Sequence, residues 1–500
     1  MRRISRGNDC PSREDANTSR RSGRLNEGPL RAESASSWLQ YLNQREPEPP
    51  IFHPNMSLAR RVALSSVRTQ TQPWRRLYSS TELDARKGDR QRLVVIGSGW
   101  AGFGVLRGVD KKKYQTVVIS PRSYFAFTPL LASTAVGTLE FRTAIEPVRR
   151  KGVERWAETV DFKDKSILVQ SNLATELDKD QGGEKFTVKY DKLVIAPGAY
   201  SQTFGTPGVT QHAYFLKDVA DARRIRQRVL SNFEKAALPT TSPAERDKLL
   251  HFAIVGGGAT GVEFAAELHD LLHDDLPDLY PTQGTRSLVE EHARITIYDV
   301  APRILGMFDT ALGEFAERHL KREGVSIRPN HVVERVESGM LHFKGGEAVP
   351  FGMLVWATGL ATNPFVKSLK GIEKEPAHQA RILTDAKLRV LKEGGEAIED
   401  VFALGDCAAV KDGPVLPTTA QVASQKANYL VKHFNSGDPD RTTDFVFKNF
   451  GALAYLGGWR AIMQGESQNI KGWAAWVIWR GAYLTKSVSW RNKILIPTLW

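Results

Sequence analysis

The fold is decided by residues 91–102, which read QRLVVIGSGWAG. The apolar run at the start of this stretch predicts a buried strand, and the glycines predict a tight turn into a helix that runs to about Val109. In such a G-x-G-x-x-G turn, Gly97 makes the bend, Gly99 lets the backbone approach a pyrophosphate, and Gly102 lets the helix pack on the strand. The stretch therefore predicts a unit that binds a dinucleotide at a helix N-terminus.

The same motif occurs again after a second predicted strand, His251–Val255, with glycines Gly256, Gly258 and Gly261. The strand that follows ends in Asp299, whose carboxylate can accept hydrogen bonds from an adenosine ribose. The spacing from the first glycine to this aspartate is 43 residues, against a usual ~20, so the excess is predicted to form an extended helix and a loop. Two such units predict an α/β protein with two Rossmann-type domains. One bound flavin dinucleotide and one exchangeable nicotinamide dinucleotide would together give hydride transfer.

Three further strand-and-turn strings, at 192–198, 356–359 and 401–406, support the flavin. The last ends in Asp406, and an aspartate at that point of a flavoprotein can bond the ribityl hydroxyls. The predicted divisions of the chain are a disordered extension with a targeting segment over 1–90, the first part of an FAD-binding domain over 91–247, an NADH-binding domain over 248–357, the second part of the FAD-binding domain over 358–440, and a C-terminal membrane-interface segment over 441–500.

The basic excess of the chain is confined to its two ends. The sequence has 69 Lys+Arg and 56 Asp+Glu; residues 1–90 have 17 basic and 10 acidic residues, and residues 441–500 have 8 and 2. The stretch between them has 44 of each. A nucleic-acid-binding protein needs basic residues clustered on its folded part, so no nucleic-acid partner is predicted.

Cysteine content and hydropathy exclude further classes. The only cysteines are Cys10 and Cys407, which excludes a disulfide framework, a four-cysteine metal site and a redox-active dithiol; no metal site is predicted. The longest uncharged apolar run near the end, Gly472 to Trp479, is far shorter than the ~20 residues of a spanning helix. The sequence therefore predicts no transmembrane helix and no route for pumping ions.

Residues 56–80 contain five arginines and several Ser/Thr, but no Asp or Glu. An acid-free, Arg-rich and amphipathic stretch is typical of a mitochondrial transit peptide, and the sequence around Tyr78 and Ser79 resembles presequence cleavage sites. In this interpretation translation starts at Met56. A disordered basic tail remains the alternative.

The C-terminal 60 residues contain six of the eleven tryptophans, interleaved with Lys and Arg. This composition predicts a segment that lies in the interface of an anionic membrane. The alternative is a helix that packs on the core.

On these motifs, and on the strings at 119–131, 256–268 and 420–425, the chain resembles the two-dinucleotide-binding flavoprotein oxidoreductases. More narrowly, it is similar to the alternative (type II, rotenone-insensitive) mitochondrial NADH dehydrogenases of fungi and plants, from about Arg92 to Lys486. The resemblance implies a peripheral enzyme of the inner mitochondrial membrane, on a face that the sequence leaves open. Such an enzyme oxidises NADH and reduces ubiquinone through FAD without pumping protons. A homodimer is left open.

The resemblance also implies roles for particular residues. The family's Gly-Val-Glu acid, which lies near the nicotinamide, is Glu263 here; its alternative is a first-turn helix acid favoured by the dipole. Gln421 and Gln425 match the Ala-Gln-x-x-x-Gln segment that lines the family's quinone site, and side chains four apart share a helix face. Without the resemblance they would be solvent-facing. The residues expected to bind FAD are Gly97, Gly99, Gly102, Thr128, Pro129 and Asp406. Those expected to bind NADH are Gly256, Gly258, Gly261, Glu263 and Asp299.

Two rival functions remain at this point. A sulfide:quinone or disulfide reductase would use paired cysteines, and Cys407 has no partner outside the N-terminal tail. A flavin-binding signalling or assembly protein of the apoptosis-inducing-factor type would oxidise NADH slowly and would not need the two glutamines or the Trp-rich end.

Overall fold

The computed structural model describes residues 80–148, 153–171, 185–282, 286–376, 380–436, 443–466 and 468–499. The predicted transit peptide and its cleavage site lie outside the described residues. The helices of the described chain are α1 Ser80–Ala85, α2 Trp100–Gly108, α3 Leu131–Val136, α4 Val209–His212, α5 Val219–Ala236, α6 Pro243–Leu249, α7 Ala259–Asp270, α8 Leu288–His292, α9 Thr310–Arg322, α10 Pro364–Ser368, α11 Ala420–Ser436, α12 Trp473–Lys486 and α13 Trp490–Leu499.

The strands of the same residues are β1 Gln91–Ile96, β2 Tyr114–Ser120, β3 Tyr124–Ala126, β4 Ile145–Pro147, β5 Val153–Asp161, β6 Ser166–Ser171, β7 Lys185–Lys189, β8 Lys192–Ile195, β9 Ala199–Ser201, β10 His251–Val255, β11 Arg294–Tyr298, β12 Ser326–Arg328, β13 Val333–Glu337, β14 Met340–Phe343, β15 Ala348–Pro350, β16 Met353–Trp356, β17 Leu360–Thr362, β18 Ile382–Thr384, β19 Arg389–Leu391, β20 Ala397–Ala403, β21 Ala408–Val410, β22 Ala452–Gly457, β23 Arg460–Gln464 and β24 Asn469–Gly472.

The first glycine turn belongs to a ten-stranded sheet with the order β21-β18-β19-β20-β8-β1-β2-β5-β6-β7. Strand β1 pairs in parallel with β2 and β8, and β20 pairs in parallel with β8. Strands from before and after the second glycine turn thus share one sheet. The carboxyl ends of β1 and β20 meet at the same edge, which brings the segments that follow them together.

The second glycine turn belongs to a separate parallel sheet with the order β12-β11-β10-β16. Strand β10 is buried along its whole length, as expected for a parallel strand covered on both faces. After α7 the chain continues in a π-helical turn, Leu271–Asp275, and reaches α8 before β11. This is the predicted extension between the glycine turn and Asp299. The α/β fold class is confirmed, while the exact domain boundaries stay predictions.

The C-terminal residues form a folded unit on the body of the protein. Strands β22, β23 and β24 make an antiparallel sheet, and β22 contacts α7 of the second glycine unit. Helix α12 packs on β22, β23 and β24, burying Ala475, Trp476 and Trp479, whereas Trp473 is 65% exposed. One face of α12 therefore packs on the protein and another is left for solvent or a partner. Within the described ranges, none of the helices combines the length and apolarity that crossing a bilayer requires.

Candidate active site

The two glycine turns have the same backbone geometry at their first position. Gly97 and Gly256 have φ values of +104° and +115°, which L side chains rarely adopt. A Cβ on Gly97 would lie 2.1 Å from the Ala196 carbonyl oxygen, and a Cβ on Gly256 would lie 2.5 Å from the Ala357 carbonyl oxygen. Only glycine therefore fits the bend of either turn.

The other glycines of each turn either pack tightly or face open space. A Cβ on Gly102 or on Gly261 would lie 2.0 Å from the carbonyl oxygen of the first glycine of the same turn. At Gly99 and Gly258, apart from the adjacent residues of the same turn, no atom of the described residues lies within 4 Å of the Cβ position. Both of these glycines are helix N-caps without a side-chain hydrogen bond, so backbone N–H groups are available there. The open space and free donors fit a pyrophosphate in each turn.

Both turns open on one cavity of about 2040 Å³. This volume exceeds the ~300–1,000 Å³ of a typical small-ligand site and suits two dinucleotides. The sequence-predicted residues that line it are Gly97, Gly99, Thr128, Pro129, Gly256, Gly258, Glu263, Asp299 and Asp406. The structure thus brings together residues separated by more than 300 positions in the chain.

Asp406 enters this cavity just after β20 and faces a lysine that the sequence did not reveal. Burial raises the pKa of the Asp406 carboxyl, and the Lys217 ammonium acts in the opposite direction. Burial in turn lowers the pKa of Lys217, whose Nζ donates to the Ala199 carbonyl oxygen at 3.0 Å. The carboxylate oxygens remain available to accept hydrogen bonds from ligand hydroxyls.

Thr128 and Pro129 lie in a 3₁₀ turn that leads into α3. Trp100, at the start of α2, donates from Nε1 to the Thr128 hydroxyl at 3.0 Å and packs edge-on against Phe125, 5.1 Å between ring centres. This contact fixes the turn against the first glycine motif. The threonine and proline therefore form a wall of the cavity next to Gly99.

Arg122 occupies the place after β2 where many such units have an acid. It forms an ion pair with Asp218, which also accepts a hydrogen bond from the Tyr124 hydroxyl. Both Arg122 and Asp218 line the cavity. The sequence analysis did not predict this Arg122–Asp218 ion pair as part of the site. The signal visible in the sequence was the Asp218-x-x-Asp221 pattern of a capping box. This pattern indicates the start of a helix, but it does not indicate that Arg122, 96 residues earlier, lies beside Asp218.

Asp299 follows β11 and receives two backbone N–H groups. Gly257 donates to one carboxylate oxygen at 2.5 Å and Ala301 donates to the other at 2.7 Å. These bonds fix the carboxylate at the edge of the second glycine turn. Because each oxygen has further lone pairs, it can still accept hydrogen bonds from a ribose.

Glu263 and Glu267 form a pair of acids on one face of α7. Burial raises the pKa of Glu263 to about 8, although its Oε1 accepts a hydrogen bond from the Tyr455 N–H at 3.2 Å. Burial raises the pKa of Glu267 to about 7, with Ser133 Oγ at 2.6 Å and Thr138 Oγ1 at 3.0 Å as donors. Glu263 lines the cavity and is the better placed of the two to be protonated at pH 7.

The C-terminal unit closes the cavity beside Glu263. Leu453 and Tyr483 line it, and the Tyr483 ring packs edge-on against Trp479 at 4.9 Å and against Phe127 at 6.3 Å. Burial raises the pKa of Tyr483 well above its usual range. These wall residues come from a segment that the sequence predicted to lie in a membrane interface, with packing on the core as the alternative.

The structure gives Gln421 and Gln425 partners other than those predicted. Gln421 Nε2 donates to the Gly451 carbonyl oxygen at 3.1 Å, and its Oε1 accepts from the Phe450 N–H at 2.9 Å. Gln425 makes the same reciprocal pair with the backbone of Lys448, at 2.8 and 3.0 Å. Neither residue lines the cavity in the described chain. Each amide keeps one N–H and one oxygen lone pair beyond its bonds to the 448–451 backbone, so a direct hydrogen bond to a quinone stays a prediction, and the observed contacts indicate that both side chains position this segment.

Cys407 is buried beside Asp406 and is the free cysteine of the described chain. Burial raises the pKa of its thiol to about 12, so the thiol stays neutral and is a poor nucleophile. This environment does not suit the thiolate chemistry of a disulfide reductase.

Two dinucleotide-binding turns on one cavity define a class: a nucleotide-dependent oxidoreductase that brings two dinucleotides together. Comparison with known families agrees, since the model for "Pyridine nucleotide-disulphide oxidoreductase" matches residues 91–427 and the model for "NDH2 C-terminal domain" matches residues 450–500.

Individual relatives narrow the class. A probable NADH dehydrogenase of Dictyostelium discoideum is 39% identical, over 82% of this chain and 89% of that protein. An internal alternative NAD(P)H-ubiquinone oxidoreductase A1 of Solanum tuberosum is 35% identical, over 87% of this chain and 92% of that protein. An external alternative NAD(P)H-ubiquinone oxidoreductase B2 of Arabidopsis thaliana is 33% identical, over 82% of this chain and 88% of that protein. The structure of NDH2 from Plasmodium falciparum in complex with NADH superposes with a TM-score of 0.75 at 26% identity, over 82% of this chain and 97% of that one. The chain belongs to the pyridine nucleotide-disulphide oxidoreductase family, in its branch of type II NAD(P)H-ubiquinone oxidoreductases.

Proposed function

We propose that the protein is an FAD-dependent NADH:ubiquinone oxidoreductase of the mitochondrial inner membrane that does not pump protons. The observation that carries the proposal is the single cavity onto which both glycine turns and the C-terminal unit open. The relatives named as NAD(P)H-ubiquinone oxidoreductases support the same reaction.

The first turn fits FAD. Gly97 and Gly99 would receive its pyrophosphate while Gly102 packs the helix against the turn, with Thr128 and Pro129 as a wall and Asp406 at the ribityl hydroxyls. When bound, FAD supplies the ring that accepts a hydride from NADH and passes electrons on to a quinone. The protein's part is to orient this ring and to exclude water from it.

The second turn fits NADH. Gly256 and Gly258 would receive its pyrophosphate while Gly261 packs the helix against the turn. Asp299, fixed by two backbone donors, would accept the ribose hydroxyls. Glu263 faces the cavity near the expected nicotinamide position. A neutral Glu263 avoids placing a buried negative charge beside the reacting ring.

The quinone would enter beside Leu453 and Tyr483. Quinone reduction needs protons, and a protonated Glu263 at pH 7 can deliver one by general acid catalysis. In this arrangement Gln421 and Gln425 are positioning residues. They attach the 448–451 segment, which leads into β22, to helix α11.

Helices α12 and α13 supply the surface proposed to lie on the membrane. Trp473, Val477, Trp490 and Ile494 are exposed, and the basic residues that accompany them are Lys486, Arg491 and Lys493. Exposed indoles beside cations suit an anionic lipid interface. The relatives include both internal and external enzymes, so their names do not select a face. N-terminal sequencing of the mitochondrial protein would test cleavage near Ser79, and sedimentation analysis would test the homodimer.

The test of the reaction is NADH oxidation by purified, FAD-loaded protein with and without a short-chain ubiquinone. We expect rapid turnover that depends on the quinone. Slow NADH oxidation that is indifferent to quinone would favour the apoptosis-inducing-factor-type alternative instead.

A further inference from the structure

A second cavity of about 750 Å³ lies next to the active-site cavity and shares Gly405, Asp406, Thr418, Thr419 and Ala423 with its lining. Its volume is that of a small-molecule site. The remaining walls are mainly apolar and come from the segments 408–418 and 445–447, from helix α11, and from Glu375, Pro376, Arg381 and Leu383. None of the reaction steps proposed above uses this space.

The feature that singles out the cavity is Lys426, which lines it although only 2% of the residue is exposed. Its Nζ lies 5.9 Å from the centre of the Phe445 ring, and its ammonium also interacts electrostatically with Cys407 and with the like charge of Arg381. Among the described residues, no hydrogen bond or ion pair reaches the ammonium. An ammonium that faces a mainly apolar cavity without an acceptor is costly. Burial lowers the pKa of Lys426 to about 8, so the group is still charged at pH 7.

The other charged groups of the cavity already have partners or face solvent. Arg381 and Glu375 form a two-bond ion pair at 2.7 and 2.8 Å. Asp406 faces Lys217 and Arg381, and Lys411 pairs with Glu373 outside the lining; Asp412 is exposed. Lys426 is therefore the charged group of this cavity that lacks a partner among the described residues, and an anionic group of a ligand would supply that partner.

The apolar lining continues to the protein surface. Val415 is 88% exposed and Val446 is 75% exposed, and both belong to the cavity wall. A ligand with a charged oxygen head at Lys426 and a long apolar chain would cover both valines. A short anion would leave them in water.

We infer that this cavity is a binding site for a long-chain monocarboxylate, such as a fatty acid, whose carboxylate accepts hydrogen bonds from the Lys426 ammonium. The site is separate from those proposed for NADH and quinone. Its occupancy needs neither substrate, so the inference can fail while the proposed oxidoreductase function stands.

The experiment is calorimetric titration of the FAD-loaded protein at pH 7 with dodecanoate and with dodecanol, both below their aggregation limits. A charge-assisted hydrogen bond should make dodecanoate bind roughly 10- to 150-fold more tightly than dodecanol. Lys426→Met should remove this preference, and Lys426→Arg should retain part of it. The matched control is Lys432→Met, which removes an exposed lysine from the same helix and should change nothing.

Flavin absorbance of each variant checks that it has folded, and the wild-type preference for the acid tests the inference even without a variant. Equal affinity for acid and alcohol, or no binding of either, would overturn it. Displacement of dodecanoate by decylubiquinone in a Lys426-dependent way would also overturn it, since the cavity would then be a quinone site.

Discussion

The role of Gln421 can be tested with Gln421→Leu, which replaces the amide side chain with an apolar side chain of similar size. In the structure the amide makes two hydrogen bonds to the backbone, from Phe450 N–H and to the Gly451 carbonyl oxygen. Each such bond stabilises by about 0.5–1.5 kcal/mol net, so the substitution should loosen the 448–451 segment by roughly 1–3 kcal/mol. The freed backbone groups are near the surface and can bond to water, so no larger penalty is expected.

The loosening has a local readout. Hydrogen exchange at the Phe450 amide should accelerate by roughly 5- to 150-fold. Stopped-flow absorbance under anaerobic conditions should show a normal reaction with NADH and a slower reaction with ubiquinone, because the segment leads to the wall at Leu453. Gln211→Leu, at an exposed site, is the control and should leave both measurements unchanged.

The reasoning would be refuted by one particular combination. If the quinone reaction slows while exchange at Phe450 is unchanged, the amide is not bound to the segment in solution and is free to bind quinone directly. A slower NADH reaction would contradict both interpretations, because it would place the glutamine on the nicotinamide side.

Three further outcomes are expected. The folded protein keeps a proton on Glu263 up to about pH 8, whereas the unfolded chain releases it near 4.5, so this residue lowers the free energy of unfolding as pH rises between those values. Glu263→Gln should therefore flatten the plot of unfolding free energy against pH, measured with urea from pH 5 to 9, by about 5 kcal/mol at most. Parallel plots for the variant and the wild type would contradict the burial of Glu263. Asp299→Asn should raise kcat/KM for NADPH relative to NADH by about tenfold, since a carboxylate beside the ribose repels a 2′-phosphate where screening is weak; an unchanged ratio would assign cofactor choice to another residue. Trp473→Ser should weaken binding to anionic vesicles, measured by sedimentation, by about tenfold. Equal binding of this variant and the Leu279→Ser control would contradict the proposal that the exposed face of α12 lies on the membrane.

The sequence by itself determined the strands and turns that bind dinucleotides. Strand β10 has the predicted limits, and β1 and β11 lie where an apolar run before Gly97 and a strand before Asp299 were predicted. These features depend on residues a few positions apart: an apolar run, then glycine where a bend excludes Cβ. Local spacing therefore carries enough information to predict them, and two copies of the pattern were enough to indicate the class of enzyme.

Only the tertiary structure decided what the side chains of the site meet. Glu267 finds Ser133 and Thr138, and Lys217 faces Asp406, across more than 120 positions of chain in each case. Such contacts arise when separate elements pack, and no periodicity along the chain encodes them.

The glutamines of α11 illustrate the same limit. Their spacing correctly indicates a shared helix face, but what lies against that face was determined by the course of a segment 23 to 30 residues later. The composition of the C-terminal residues likewise indicated an interface. Only the packing of the C-terminal unit against α7 shows that one of its sides closes the cavity. This packing is favourable because burying the indoles and the tyrosine ring removes apolar surface from water.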